Sequence, residues 1–172
     1  PSLVGAVVPS SRQLATAMAA AADGARWLIE LGAGTGVVTD ALRRRHPAVP
    51  LVAVEIDAQW AQRLQQRHPR VDVRCAPAHE VVEALQSLSG DVVVVSSLPF
   101  RSLPPTWHDV TRRAIEQFLR ADPRRRLVQY TYQPRAPFTV DASSGLVWRR
   151  RGVVWGNLPP AWLWQLGAAA PR

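Results

Sequence analysis

A five-residue apolar run that ends beside three closely spaced glycines restricts this chain more than any other feature. Trp27-Leu28-Ile29-Glu30-Leu31 reads as a buried strand. Gly32-Ala33-Gly34-Thr35-Gly36 follows at once, and Val37 to Arg45 continues with helical spacing. A strand, a glycine turn and a helix in that order form the opening unit of a parallel α/β sheet. Glycine in such a turn lets the backbone come close to a ligand.

The alternation continues along the chain. Residues 51–55, 71–75, 91–96 and 126–132 read as strands, and residues 58–67, 80–88 and 107–119 as helices. Val92-Val93-Val94-Val95 is the clearest buried strand. An earlier helix spans residues 5–22, with Ser10 or Ser11 as its N-cap and Asp23-Gly24 as its stop. This order predicts an α/β fold: a doubly wound, mostly parallel sheet with helices on both faces. Two late strands, 146–155 and 162–166, break the alternation and predict an antiparallel C-terminal hairpin. The length fits a single domain, 1–172, in which residues 1–24 form a helical segment packed on the ligand site. Residues 133–144 are the longest irregular stretch and a candidate lid.

Two acids frame the glycine turn. Glu30 ends the first strand facing the ligand, and Glu55 ends the second, 21 residues after Gly34. An acid in that second place can accept both hydroxyls of a ribose. The third glycine falls two residues after the second, not three as in the dinucleotide fingerprint. Glu30 also argues against a dinucleotide, because its carboxylate would repel a pyrophosphate. It suits the ammonium of a methionine moiety. The blander reading, two solvated strand-end acids around a tight turn, loses weight because both acids stand in register.

Other chemistries find no support. The chain has no H-E-x-x-H, G-x-S-x-G or G-K-[ST] motif. Its four histidines are scattered singly and none has metal-ligand spacing with Cys75, the single cysteine, so no metal is expected. No apolar run reaches the roughly 18 residues of a membrane-spanning helix. The net charge of +8 is carried on arginine and favours anionic partners, either nucleic acid or anionic lipid head groups. The runs Arg43–Arg45, Arg124–Arg126 and Arg149–Arg151 read, one by one, as solvated surface. Trp107, Trp155, Trp162 and Trp164 are candidates for a membrane interface, of which one or two are expected there.

With the strand, the glycines and both acids in place, the chain resembles the class I methyltransferases that use S-adenosylmethionine (SAM). The resemblance implies a Rossmann-like sheet. It implies that Glu30, Gly32, Ala33, Gly34, Thr35 and Gly36 hold the methionine part, that Glu55 holds the ribose, and that Ile56 packs on the adenine. The family often has an acid after its third strand for the adenine amino group. Here Ala76-Pro77-Ala78 stands in that place. Adenine recognition then rests on backbone around Ala78 or on another residue such as Glu80. Ser97 completes the expected cofactor set.

Ser96-Ser97-Leu98-Pro99-Phe100 follows the fourth strand, where this class places its acceptor. Adenine N-methyltransferases carry Asn or Asp at the head of this motif; serine here counts against adenine. The chain more closely resembles the bacterial phospholipid N-methyltransferases, which methylate phosphatidylethanolamine. The resembling segments are 5–11, 96–104, 129–135 (Gln129-Tyr130-Thr131-Tyr132-Gln133-Pro134-Arg135) and 150–161. Members usually carry an amphipathic membrane-binding helix ahead of this start. The resemblance implies a phosphatidylethanolamine substrate, an anionic membrane surface as partner and a cytoplasmic, membrane-peripheral location.

In that reading Tyr130, Tyr132, Leu98 and Arg135 form the catalytic group, and Phe100, Arg101 and Arg135 bind the substrate. Aromatic faces attract methylammonium groups, and arginine grips phosphate in a bidentate fork. The Leu98 carbonyl or a tyrosine hydroxyl would orient the neutral amine. Tyr130 and Tyr132, two apart on one strand face, could equally be core. His108 reads as surface. The alternatives are RNA adenine N6-methylation, with nucleic acid ranked behind lipid, and a SAM-binding protein without catalysis.

Overall fold

The computed structural model describes residues 11–169. The predicted helix at residues 5–22 therefore lies partly outside them. Its described part is α1 (Arg12–Ala21), capped by Ser11, whose side chain accepts from the Leu14 N–H at 3.1 Å. The resembling segment 5–11 lies, but for Ser11, outside the described residues.

Five parallel strands follow as the pattern predicts: β1 (Trp27–Leu31), β2 (Leu51–Val54), β3 (Asp72–Arg74), β4 (Val92–Ser96) and β5 (Arg126–Thr131). They are linked by α2 (Val37–Arg45), α3 (Ala58–Arg67), α4 (Ala78–Ala84) and α5 (Pro105–Arg120). The antiparallel pair β6 (Leu146–Val154) and β7 (Ala161–Ala168) completes one seven-stranded sheet in the order β3-β2-β1-β4-β5-β7-β6. The hairpin is thus not appended in sequence order: β7 pairs with β5 and leaves β6 at the edge.

The side-chain period of two divides each strand between two cores. Leu28, Ala53, Val93, Val95 and Val128 face α1, α2 and α3. Ile29, Val52, Val94 and Leu127 face α4 and α5. Val92 to Val95 are all fully buried, as a central parallel strand covered on both faces requires. The sheet's carboxyl edge is fixed by register: Leu31 pairs with Ser96, Ser96 with Gln129, and Thr131 with Trp162. The turn between β6 and β7 therefore lies at the same edge as the glycine loop.

Two expectations need correction. Helix α4 ends at Ala84 rather than reaching residue 88, because the chain tightens into i→i−3 turns there. The freed carbonyls of Gln86 and Leu88 accept from Arg125, which also donates to the Phe118 carbonyl at 2.7 Å. Arg125 is consequently buried, with its guanidinium over the Phe118 ring at 4.1 Å, and is not part of a solvated run. Its neighbour Arg124 does meet solvent, paired with Asp122 at 2.8 Å. The second correction concerns the lid at residues 133–144. It is pinned to the body, since Phe138 is buried against Phe100 and its carbonyl accepts from Trp148 Nε1 at 3.0 Å.

Replacing Arg125 would leave these carbonyls unpaired at the junction of α4, α5 and β4. Arg125→Met is expected to cost about 2–4 kcal/mol of stability, measured by urea unfolding, because several hydrogen bonds to a charged group go at once.

Candidate functional site

The glycine loop is held from below by its own backbone. Gly32 and Ala33 donate to the Val54 carbonyl at 2.9 and 3.0 Å, and Gly36 to the Ala33 carbonyl at 2.8 Å. Gly32 has φ +75°, and a Cβ there would fall 2.9 Å from Leu98 Cδ2. Gly36 has φ +79° and caps α2, with Leu64 and Arg67 closing over it. Glycine is thus required twice: by backbone handedness and by the approach of the loops after β1 and β4.

Glu30 is fully buried at the end of β1. Its Oε2 accepts from Thr39 Oγ1 at 2.6 Å, whereas Oε1 has no hydrogen-bond partner in the protein. Burial pushes its pKa up to about 7, against the pull of Thr39. Glu55 accepts from the Gly34 N–H through Oε2 at 2.7 Å and from the Asp57 N–H through Oε1 at 2.9 Å. It ties the first loop to the second strand. Beside it Ile56 is 56% exposed, a large apolar side chain left uncovered at the expected adenine position. Ala78 begins α4 and packs with Ala76 on the core below, Glu80 is exposed, and Thr35 is exposed at the top of the loop.

Ser97 continues the β4 ladder, its N–H donating to the Leu31 carbonyl at 2.9 Å. Its hydroxyl is buried without a protein partner, and so is the hydroxyl of Tyr132. Glu30, Ser97 and Tyr132 stand at the carboxyl ends of β1, β4 and β5, which are neighbours in the sheet. Their alternation with Leu28, Val95 and Val128 puts all three on the face covered by α1 and α2. These buried polar groups with unused capacity step diagonally across neighbouring strand ends, Ser97 two and Tyr132 four residues beyond the level of Glu30, and form a candidate floor for a polar ligand. Tyr130 is buried on this same face, with its ring 5.5 Å from that of Tyr132.

The other predicted residues gather on the opposite face. Phe100, Arg101 and Arg135 line an open cleft of about 730 Å³, together with His108, Phe138 and Trp148. Arg101 donates to Gln133 at 2.6 Å, and Arg135 is exposed. Phe100 is only 3% exposed, its ring 4.8 Å from Phe138, so it forms the wall and is not a free stacking surface. His108 is half-buried against Phe100 and not a plain surface residue. The structure therefore splits the predicted acceptor residues into two groups, the tyrosines with Ser97 and the arginines with Phe100.

The sequence reading missed two residues. Thr39, which orients Glu30, could have been found as the one polar residue in the buried stripe Val38, Thr39, Ala41, Leu42. Gln129 donates to the Leu98 carbonyl at 3.0 Å, and the Phe100 N–H takes the same carbonyl at 2.9 Å. Nothing local announces that contact, which is made across two strands. Among the described residues no His/Cys/Asp/Glu group could hold a metal.

This sheet order and loop placement are those of the class I methyltransferase fold. The chain aligns over 94% of its length with a 23S rRNA methyltransferase, ErmE, covering 70% of that chain at a TM-score of 0.59 and 16% identity. It aligns over 92% of its length with a mutant of MtNAS solved in complex with S-adenosylmethionine, covering 62% of that chain, at a TM-score of 0.59 and 21% identity. At the sequence level it is 36% identical over 80 residues to the ribosomal RNA small subunit methyltransferase A of Salinibacter ruber. That match spans 45% of this chain and about a quarter (26%) of the relative's length. No family model matches the chain.

Glu30 provides a test of the site that needs no ligand. Its folded pKa lies above its unfolded value, so the folded state holds the extra proton between about pH 4.5 and 7. Stability should therefore fall as pH rises through that window, by about 3 kcal/mol in total. Unfolding curves at pH 5 and pH 8 should show this loss, and Glu30→Gln should remove most of it.

Proposed function

We propose that this protein is a SAM-dependent methyltransferase acting on an amine, and that the amine belongs to a phosphatidylethanolamine-type lipid. The observation that carries the activity is the set Glu30, Ser97 and Tyr132, three buried polar groups with unused hydrogen-bonding capacity on one face of the sheet, at the edge that carries the glycine loop. The residues fit the cofactor. The free Oε1 of Glu30 suits an ammonium, the Gly32–Gly36 backbone suits a close ligand, Glu55 suits two ribose hydroxyls, and Ile56 suits the face of an adenine. When bound, SAM supplies an electrophilic methyl group on a sulfonium.

The protein's part is then to bind, orient and desolvate. Ser97 and Tyr132 can each donate or accept a hydrogen bond, and so can fix the lone pair of a neutral amine toward the cofactor side. The Leu98 carbonyl is less available, since Gln129 and the Phe100 N–H already take it. Arg135 and Arg101, exposed in the cleft on the other face of the sheet, suit the phosphate of a head group that reaches past the strand ends.

The serine at the head of the acceptor motif and the tail segments favour lipid. A second reading, methylation of an adenine amino group in RNA, is favoured by the relatives: two of those described above carry ribosomal RNA in their names. The same positive charge would serve phosphate contacts there.

Methyl-labelled SAM, offered with mixed phosphatidylethanolamine vesicles and ribosomal RNA, separates the readings. Label is expected in the organic phase, with Arg135→Ala cutting lipid turnover several-fold and leaving SAM affinity intact. Label in RNA alone would replace the lipid reading, and label in neither would leave a binding protein. Cofactor binding has its own check by calorimetry. If the ionised form of Glu30 receives the ammonium, affinity should rise about fivefold from pH 6 to pH 7. That dependence should vanish in Glu30→Gln, and Glu55→Ala should bind about tenfold more weakly.

A further inference from the structure

The two most exposed large apolar side chains of the described residues stand together on one turn. Trp155 is 74% and Leu158 90% exposed, in the connection between β6 and β7. We propose that this turn is the element by which the protein docks on an anionic lipid bilayer, an inference that rests on the lipid reading of the acceptor.

The turn is a preformed projection. Asn157 is buried, donates through Nδ2 to the Pro159 carbonyl at 2.7 Å, and accepts from the Ser11 N–H through Oδ1 at 3.3 Å. Gln13 of α1 packs on Gly156 so closely that any side chain there would collide with it. Asn157 faces inward and anchors the turn, while Trp155 and Leu158 are left exposed on it. Such side chains, held out at no ordering cost, are suited to inserting between head groups.

Position and charge agree. Thr131 pairs with Trp162, so the turn stands at the sheet edge that carries Ser97 and the glycine loop. Arg12 is exposed between the two α1 contacts, and Arg150 and Arg151 are exposed a few residues down β6. Exposed arginines on the two elements that hold an apolar tip match an anionic surface with a hydrocarbon layer beneath it. Two side chains cannot form the buried centre of a stable protein interface. Trp155 could stack on a nucleobase, but Leu158 has no π face and gains nothing from RNA.

The test uses vesicles of phosphatidylcholine with about 30 mol% phosphatidylglycerol, which contain no amine acceptor. Co-sedimentation of the full chain is compared with that of a Trp155→Ala/Leu158→Ala double variant. The double variant should bind about tenfold more weakly with an unchanged melting temperature. Arg150→Gln/Arg151→Gln should bind several-fold more weakly, with the difference closing at high salt. Vesicle binding equal to the parent protein's in the double variant would overturn the proposal. So would a double variant that loses RNA binding or self-association while keeping vesicle binding. Methyl transfer to a dispersed short-chain phosphatidylethanolamine, measured alongside, should be the same in parent and double variant. Its absence in both, with tip-dependent vesicle binding, would sink the acceptor reading and leave the docking surface standing.

Discussion

The carboxyl group of Glu30, buried at the end of the first strand, is the constraint around which the candidate site is arranged. A carboxylate in an apolar core is costly unless its oxygens are met. Thr39 meets one of them, which fixes the first turn of α2 against β1. The other is buried without a partner in the protein, and the raised pKa expresses the cost of that burial. A cationic group arriving there would relieve the strain that the fold retains. Placing the acid at this point therefore lowers stability and raises the reward for binding.

The rest of the site depends on the same edge. Glu55 fastens the glycine loop to the second strand, and Gly32 lets Leu98 close over the loop after β1. Gln129 in turn steadies Leu98 from β5. Four strand ends are thus linked by two hydrogen bonds and one close apolar approach, none of which belongs to a helix or a sheet ladder. A shift in any one of them moves the floor on which a reacting amine would lie, and near-attack geometry tolerates little movement.

Strands and helices were legible wherever burial was periodic or continuous. β1, α2 and α3 begin and end where the sequence places them, because glycine, proline and the capping Asp57 mark their ends. The α4 boundary was not legible, since it depends on Arg125, a residue nearly forty positions later that competes for the carbonyls. The site followed the same rule. Glu30, Glu55 and the glycines stood out through local spacing. The partition of Tyr132 from Arg135 did not, because a strand's two faces diverge only once the layers on each side are known. Tyr130 and Tyr132 were ambiguous between core and site, and the structure gives a physical reason: one face serves as both.

The strand order has a consequence for how the molecule is put together. β7 follows every other described strand in sequence but sits inside the sheet, between β5 and β6. Until it is laid down, β5 is an open edge and β6 has nothing to pair with. The half that carries the glycine loop can organise from contacts already made. The Trp155 turn and the α1 anchor at Asn157 must wait for residues 161–168. Assembly from the amino terminus would thus complete the glycine-loop half before the apolar tip takes its place, so the tip would be presented only by a chain whose sheet is already closed.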